Sequence, residues 1–354
     1  MSKPRLTIDE IAKLSGVSKG TVDRVLHQRG KVAEKSLQKI LKVLSENEYK
    51  PNLLARSLSH KRKRVIAALI PNPAQDVYWE NSYQGLLTAK NRYDSFGLTV
   101  QPFFFDVENK DSIFDIGKEI LETNPDGLLT APIFSHEAMP LLKMAEEKGI
   151  PFITYNNEAA DTRPMTFIGV DLKASGKVGA EIIDRFQHEE GFLAVMHFYK
   201  EAEENAHLLE KEKGFREYFA GVDKEIQSFT FEAPKYPGVA EQLRSIFANP
   251  QLKGLFVTTS STVPPLSNLI LEAGRKDICF VGFDMVGDNE KYLMSGVLDA
   301  LINQNPNRQA VLGIRLLANY ILFNQLPERQ YLFPIEIVTR QNMESFKNSD
   351  ICFQ

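Results

Sequence analysis

The chain has 354 residues, 43% apolar and 25% charged, with a net charge of −4, the make-up of an ordinary soluble globular protein too long for one core. Two cysteines, Cys279 and Cys352, are too few for a disulfide framework or a four-ligand zinc site, and no apolar run has the length of a signal peptide or a membrane helix. Secreted, disulfide-stapled and membrane-spanning classes are therefore set aside, and a reducing cytoplasm is expected. The small net charge hides a segregation: residues 1–64 carry +10 and the remaining 290 carry −14, which predicts a polyanion-binding head on a body that repels polyanions.

Residues 7–27 read as two short helices joined by a tight turn. Thr7 and Glu10 have capping-box spacing, and Ile8, Ile11, Ala12 and Leu14 give the first helix an apolar face. Gly16 can take the positive φ that ends that helix, Val17 fills the gap, and Ser18 caps the second helix. That helix is expected to bury Val22, Val25 and Leu26 and to leave Lys19, Gly20, Thr21 and Arg24 exposed near its start. The layout is a helix-turn-helix, whose second helix can present its first residues to base edges in a major groove; an ordinary helical hairpin is the plain alternative. Residues 34–47 form a third helix, with Leu37, Ile40, Leu41 and Leu44 closing a three-helix core, and Pro51 ends it. Asn52 can cap a short helix to Ser59, either a solvated linker or a hinge helix that wedges a leucine into a minor groove, and the basic run Lys61–Arg64 follows.

From Val65 onward the texture changes. Apolar runs at 65–70, 98–105, 127–131, 151–155, 166–170, 191–197, 225–231, 254–258, 278–283 and 298–302 alternate with helix-length amphipathic segments. Such alternation predicts parallel sheets covered on both faces, and ten strands suggest two α/β lobes with a ligand cleft at the carboxyl ends of their strands. Marks of catalysis are missing. The stretch Gly169–Val178 has the wrong glycine spacing for a phosphate loop and Val where Ser or Thr is required, no G-x-G-x-x-G or G-x-S-x-G occurs, and the six histidines show no pair at metal-binding helical spacing. No cofactor, no metal and no enzyme activity are expected.

The chain resembles bacterial transcription regulators of the lactose/galactose repressor (LacI/GalR) family over essentially its full length. The most specific part is residues 6–59, with the Val-Asp-Arg-Val run at 22–25, Tyr49-Lys50-Pro51-Asn52, Ala55 and Leu58. The body is similar to ribose-type periplasmic sugar-binding proteins through Asp76-Val77-Tyr78-Trp79, Gly85, Ile168–Asp171, Lys213-Gly214-Phe215, Val281–Asp284 and Asn303–Pro306. The resemblance implies an all-α helix-turn-helix head (1–50), a hinge helix and basic linker (51–64), and an α/β body (65–354) of the type I periplasmic-binding-protein fold. Its two doubly wound parallel-sheet lobes would take about 65–171 with 304–333, and 172–303 with 334–354.

Carried over by position, the resemblance implies that Lys19, Gly20 and Arg24 face bases. Ser18, Thr21 and Asn52 would hold phosphates, Thr7 and His27 would lie at the same surface, Leu58 would be the minor-groove wedge, and Ala55 would let two hinge helices approach. Asp23 departs from the family's small hydroxyl residue and needs a partner such as Lys19 or His27; Ala33 stands where a Ser or Thr usually caps the third helix. In the cleft the resemblance places Asp76, Tyr78, Trp79, Asn156, Asn157, Asp171, Thr259, Asp284 and Gln304, a set suited to a polyol, with an aromatic face for the C–H side of a sugar ring. Leu209 replaces the Arg that sugar binders of this type usually carry, with His207 nearby, which leaves a modified sugar, a nucleoside or a less polar ligand open. The expected protein is a homodimeric, cytoplasmic, ligand-controlled regulator of a near-palindromic operator, nucleoid-associated when bound to it. A transporter's solute-binding component and an α/β enzyme are the alternatives.

Overall fold

The computed structural model describes residues 7–26, 32–46, 63–159, 161–198, 206–232 and 237–348. Residues 1–61 and 62–354 are two separate compact units. In the first, α1 (Ile8–Ser15), α2 (Lys19–Leu26) and α3 (Glu34–Glu46) surround Ile11, Ala12, Val22, Ile40 and Val43, with Ile8, Val17, Val25 and Leu44 packed at the edge. Thr7 and Glu10 form the reciprocal capping box, and Gly16 ends α1 at φ 65°. Two expected core leucines are instead on the surface: Leu14 and Leu41 are 58% and 50% exposed. Ser15 and Val43 take the inward positions, and the Ser15 hydroxyl is accommodated by donating to the Ile11 carbonyl.

The second unit is built on two six-stranded sheets. The first lobe contains β1 (Arg64–Pro71), β2 (Leu98–Phe105), β3 (Gly127–Thr130), β4 (Phe152–Tyr155), β5 (Thr166–Val170) and β11 (Gln330–Phe333), all parallel in the order β11-β5-β4-β3-β1-β2. The second contains β6 (Phe192–Phe198), β7 (Ile226–Phe231), β8 (Leu252–Val257), β9 (Cys279–Phe283), β10 (Ala300–Asn303) and β12 (Glu336–Val338) in the order β12-β10-β9-β8-β6-β7, with only β12 antiparallel to its neighbour. Sequence patterning misses β11 and β12, which are half-exposed edge strands of four and three residues whose apolar runs are only three and two residues long.

Helices cover both faces of each sheet, which is why the central strands are mostly apolar and buried: all seven residues of β6 are buried, His197 among them. On the first sheet, α4 (Val77–Tyr93) and α12 (Pro306–Phe323) pack on one face, α5 (Ser112–Glu122) and α6 (Ser135–Glu147) on the other. On the second, α7 (Leu172–Phe186) and α8 (Ala206–Tyr218) cover one face; α9 (Pro237–Ala248), α10 (Val263–Glu272), α11 (Asn289–Ser295) and α13 (Met343–Asn348) lie over the other. The helices α7 and α8 touch backbone to backbone. A Cβ added at Gly176 would fall on the Lys211 carbonyl, and one added at Gly214 on the Lys173 carbonyl. Gly176, in the stretch that carried the false phosphate-loop spacing, is thus a helix-packing glycine. The chain crosses between sheets three times, at Asp171, at Gln304–Asn305 and at Pro334–Ile335.

Candidate functional site

In the first unit the exposed surface of α2 presents Ser18, Lys19, Gly20 and Arg24, with Thr21 half-buried. The Ser18 hydroxyl accepts from the Thr21 amide at 3.2 Å and lies 2.8 Å from its hydroxyl, which caps α2 and orders its first turn. Arg24 folds back so that Nε donates to the Gly20 carbonyl at 3.2 Å, and nothing comes within 4 Å of a Cβ built at Gly20. Lys19 is ion-paired to Asp9 of α1, whereas sequence reasoning offered it, with His27, as a partner for Asp23. Thr7 is engaged by Glu10 through its amide and hydroxyl, and those hydrogen bonds lower the Glu10 carboxyl below its ordinary range. His27, Asn52, Ala55 and Leu58 lie outside the described residues.

In the second unit the carboxyl ends of the two sheets converge on a polar cluster. Asp76 caps α4 by accepting from the Tyr78 amide at 2.8 Å; burial raises its pKa against hydrogen bonds from Tyr78 and from Ser261 of the opposite lobe, and the nearby Asp284 charge raises it further. The Tyr78 hydroxyl donates to Asn156 Oδ1 at 2.5 Å, and Asn156 Nδ2 to Asn157 Oδ1 at 2.6 Å. The Asn156 amide is shared between the Ile168 carbonyl and Gln309 Oε1, at 2.8 and 3.1 Å. Gln309 Nε2 donates to the Gln304 carbonyl at 2.7 Å, and the Gln304 amide and Nε2 both donate to Asp284, each at 2.7 Å. Ser260 completes the chain, its hydroxyl donating to Asp284 Oδ2 at 2.5 Å. A continuous hydrogen-bonded path therefore runs from Tyr78 in one lobe to Ser260 in the other. Asn156, Asp284 and Asn305 hold left-handed backbone at φ 65°, 55° and 59°, at strand ends and a crossover, where the chain turns sharply.

The remaining predicted residues are more dispersed. Trp79 is only 5% exposed and stands edge-on to Tyr78 and Tyr155 at 5.0 and 6.2 Å, so its indole lies in the first lobe's core, not on an open cleft wall. Thr259 shares a 2.7 Å hydrogen bond with Thr262 ahead of α10. Asp171 is an exposed N-cap of α7, accepting from the Ala174 amide at 2.8 Å. Along with Asn156 and Asn157, Asp171 borders a cavity of about 810 Å³ that opens between the lobes.

Lys211 and His207, one turn apart on α8, were not placed in the cleft by sequence reasoning. Lys211 is 3% exposed; Nζ donates to the Thr258 carbonyl at 3.0 Å and sits 3.7 Å above the Phe283 ring. Burial draws its pKa down to about 8 against the pull of Asp284. Burial, with the charges of Lys211 and His197, holds His207 at about 3, so a neutral imidazole borders the cavity. Leu209, which stands where the resemblance expects an arginine, is exposed between them, and the Lys211 ammonium turns inward, away from the cavity lining. Their 207/211 spacing on a helix was the available signal.

Residues 66–325 match the periplasmic binding protein domain, and residues 7–52 match bacterial regulatory proteins of the lacI family. The HTH-type transcriptional regulator MalR of Streptococcus pneumoniae serotype 4 is 21% identical over 346 residues, 90% of this chain and 99% of that one. The ribose operon repressor of Halalkalibacterium halodurans is 22% identical over 349 residues, 97% of this chain and 99% of that one. An ABC transporter solute binding protein of Burkholderia graminis, solved with D-arabinose, shares the body's fold with a TM-score of 0.71 and 20% identity, over 81% of this chain and 99% of that one.

Proposed function

Because the chain belongs to the bacterial regulatory proteins of the lacI family, with a periplasmic binding protein domain as its body, we propose that its affinity for an operator is set by a small polar ligand, a sugar or sugar derivative, held between the two lobes. The coarser identity is that of a DNA-binding transcription regulator, not an enzyme, and no helix among the described residues is long and apolar enough to cross a membrane. The observation that carries the finer reading is the path Tyr78–Asn156–Gln309–Gln304–Asp284–Ser260, which makes the relative position of the lobes depend on polar groups that a hydroxylated ligand can compete for. On this reading Lys19, Gly20 and Arg24 read bases in the major groove, while Ser18, Thr21 and Asn52 hold phosphates with Thr7 and His27 alongside. Leu58 wedges the minor groove, and Ala55 lets the hinge helices of a homodimer approach over a near-palindromic operator. The protein acts in the cytoplasm, on the nucleoid when bound to its operator.

Ligand binding shifts the balance between open and closed lobes only through its different affinity for the two. A thermal-shift screen of sugars, sugar phosphates and nucleosides on the full chain, followed by titration of a selected duplex with and without each hit, tests the proposal. The expected result is a compound that both raises the unfolding temperature and changes duplex affinity. A hit that stabilises the protein and leaves duplex affinity untouched overturns the coupling.

A further inference from the structure

The strand β11 separates two cavities. Gln330 borders the one between the lobes, Tyr331 and Phe333 border another of about 520 Å³ formed with α4 and α12, and Leu332 lies on the rim of both. The second cavity has apolar walls from Tyr93, Leu312 and the two β11 aromatics, and three guanidinium groups stand around it. Arg308 is held by Glu336 at 3.3 Å, and Glu336 also accepts from Asn303 and Asn305. Arg92, in the last turn of α4, and Arg315, midway along α12, are exposed, and no carboxylate among the described residues pairs with either. Both act electrostatically on the Tyr93 phenol, so two like charges converge on one apolar floor without a counter-ion.

Two forked cations over aromatic walls select a ligand that is anionic and flat. The fork matches a carboxylate or phosphate bidentately, and guanidinium planes and ring faces stack on a planar body. The volume is that of a small-molecule site. The net charge of −14 on residues 65–354 disfavours a nucleic acid as occupant. We propose a second ligand site here, taking a small planar anion such as an aryl carboxylate or an aryl or nucleoside phosphate. Pro334 lies in the crossover at 334–335 with Glu336 next to it, and Asn307 and Arg308 lie in the first turn of α12 just past the crossover at Gln304–Asn305, so the occupant touches one of the three connections between the lobes and adjoins a second. The site thus sits where a bound metabolite acts on lobe closure independently of anything held in the cleft.

The test is calorimetric titration of the full chain with 1-naphthyl phosphate, with inorganic phosphate and 1-naphthol as separate arms. Naphthyl phosphate is expected to bind, with either fragment at least about tenfold weaker. The double variant Arg92→Gln/Arg315→Gln is expected to weaken it by about tenfold or more while leaving the unfolding temperature unchanged, since both side chains are exposed. Absence of binding overturns the proposal. So does undiminished binding to the double variant, which puts the probe elsewhere, or inorganic phosphate binding as tightly as the aryl phosphate. Conversion of a dimer to a monomer by the double variant, seen in sedimentation, also overturns it, because the face then belongs to a second copy of the chain. The titration needs neither DNA nor a cleft ligand, so its failure leaves the reading of the cleft standing.

Discussion

Asp284 is fully buried and accepts three hydrogen bonds, from the Gln304 amide, Gln304 Nε2 and Ser260. Its left-handed backbone suits Asn and penalises Ala, and Ala also strands three donors at about 1–3 kcal/mol each, so Asp284→Ala confounds folding with binding. Asp284→Asn keeps the backbone and most of the shape; it is expected to lower stability by about 1–2 kcal/mol and to abolish the thermal shift produced by a cleft ligand. A full ligand shift retained in the Asn variant would move the ligand away from this carboxylate. Lys211 supports a second prediction. Its ammonium is buried, and its pKa is about 8 against an ordinary 10.5. Below pH 8 the folded state bears the whole cost of that charge; above 10.5 both states are neutral and the cost is gone. Stability therefore rises between those limits, by on the order of 3 kcal/mol. Denaturant unfolding of wild type and Lys211→Met across this range should show the wild type gaining on the variant as pH rises; parallel profiles would mean the ammonium is not desolvated.

At the scale of the helix, the α2 lysine that the proposed reading turns towards bases is already neutralised by Asp9. Both partners are well exposed, so the pair adds little to stability, yet the carboxylate repels phosphate wherever Lys19 approaches it. Asp9→Asn is expected to tighten binding to every duplex by roughly two- to fivefold at low salt while changing the unfolding temperature by little. Fluorescence anisotropy on an operator and on an unrelated duplex checks it, and weaker binding of both would make Asp9 a contributor to the interface. The helix pair itself was legible because capping chemistry is local: Thr7, Glu10, Gly16 and Ser18 act within three or four residues of themselves. Which leucines face inward was less legible. Leu14 and Leu41 look like core by residue type, and only the crossing of three helices decides that Ser15 and Val43 point in instead. Parallel central strands announced themselves as apolar runs, whereas β11 and β12 owe their place to the chain's return between sheets. The cleft was legible by residue type at Asn156 and Asp284, but not at Lys211 or Gln309, whose roles arise from helices brought in from elsewhere in the chain.

For the whole body, the question is what couples two lobes that have separate sheets and separate cores. Three crossovers tie them covalently, and among the described residues both Gln309 and the Ser261–Asp76 hydrogen bond tie the polar ends together, Gln309 being the one that reaches the Asp284 cluster. It is fully buried on α12, beside Ala310, which packs in the first lobe's core, and its amide works in both directions: Oε1 accepts from Asn156 of that lobe, Nε2 donates to Gln304, and Gln304 in turn holds Asp284 of the other lobe. Gln309→Leu preserves volume and helix propensity but leaves the Gln304 carbonyl without that donor, at a cost of about 1–3 kcal/mol. The Asn156 amide keeps its bond to Ile168, so the local turn survives. The loss then falls on the link between lobes and not on either core. The expected variant unfolds at a lower temperature, shows a larger radius of gyration in small-angle scattering without ligand, and responds less to any cleft ligand. Glu in place of Gln keeps an acceptor toward Asn156 but turns the donor facing Gln304 into a second acceptor, so it should loosen the lobes as Leu does. If Gln309→Leu lost stability while its scattering profile stayed that of the wild type, the hydrogen-bonded path through Gln309 would be packing within a rigid body, and ligand control of lobe closure would have to act through the crossovers and the Ser261–Asp76 contact.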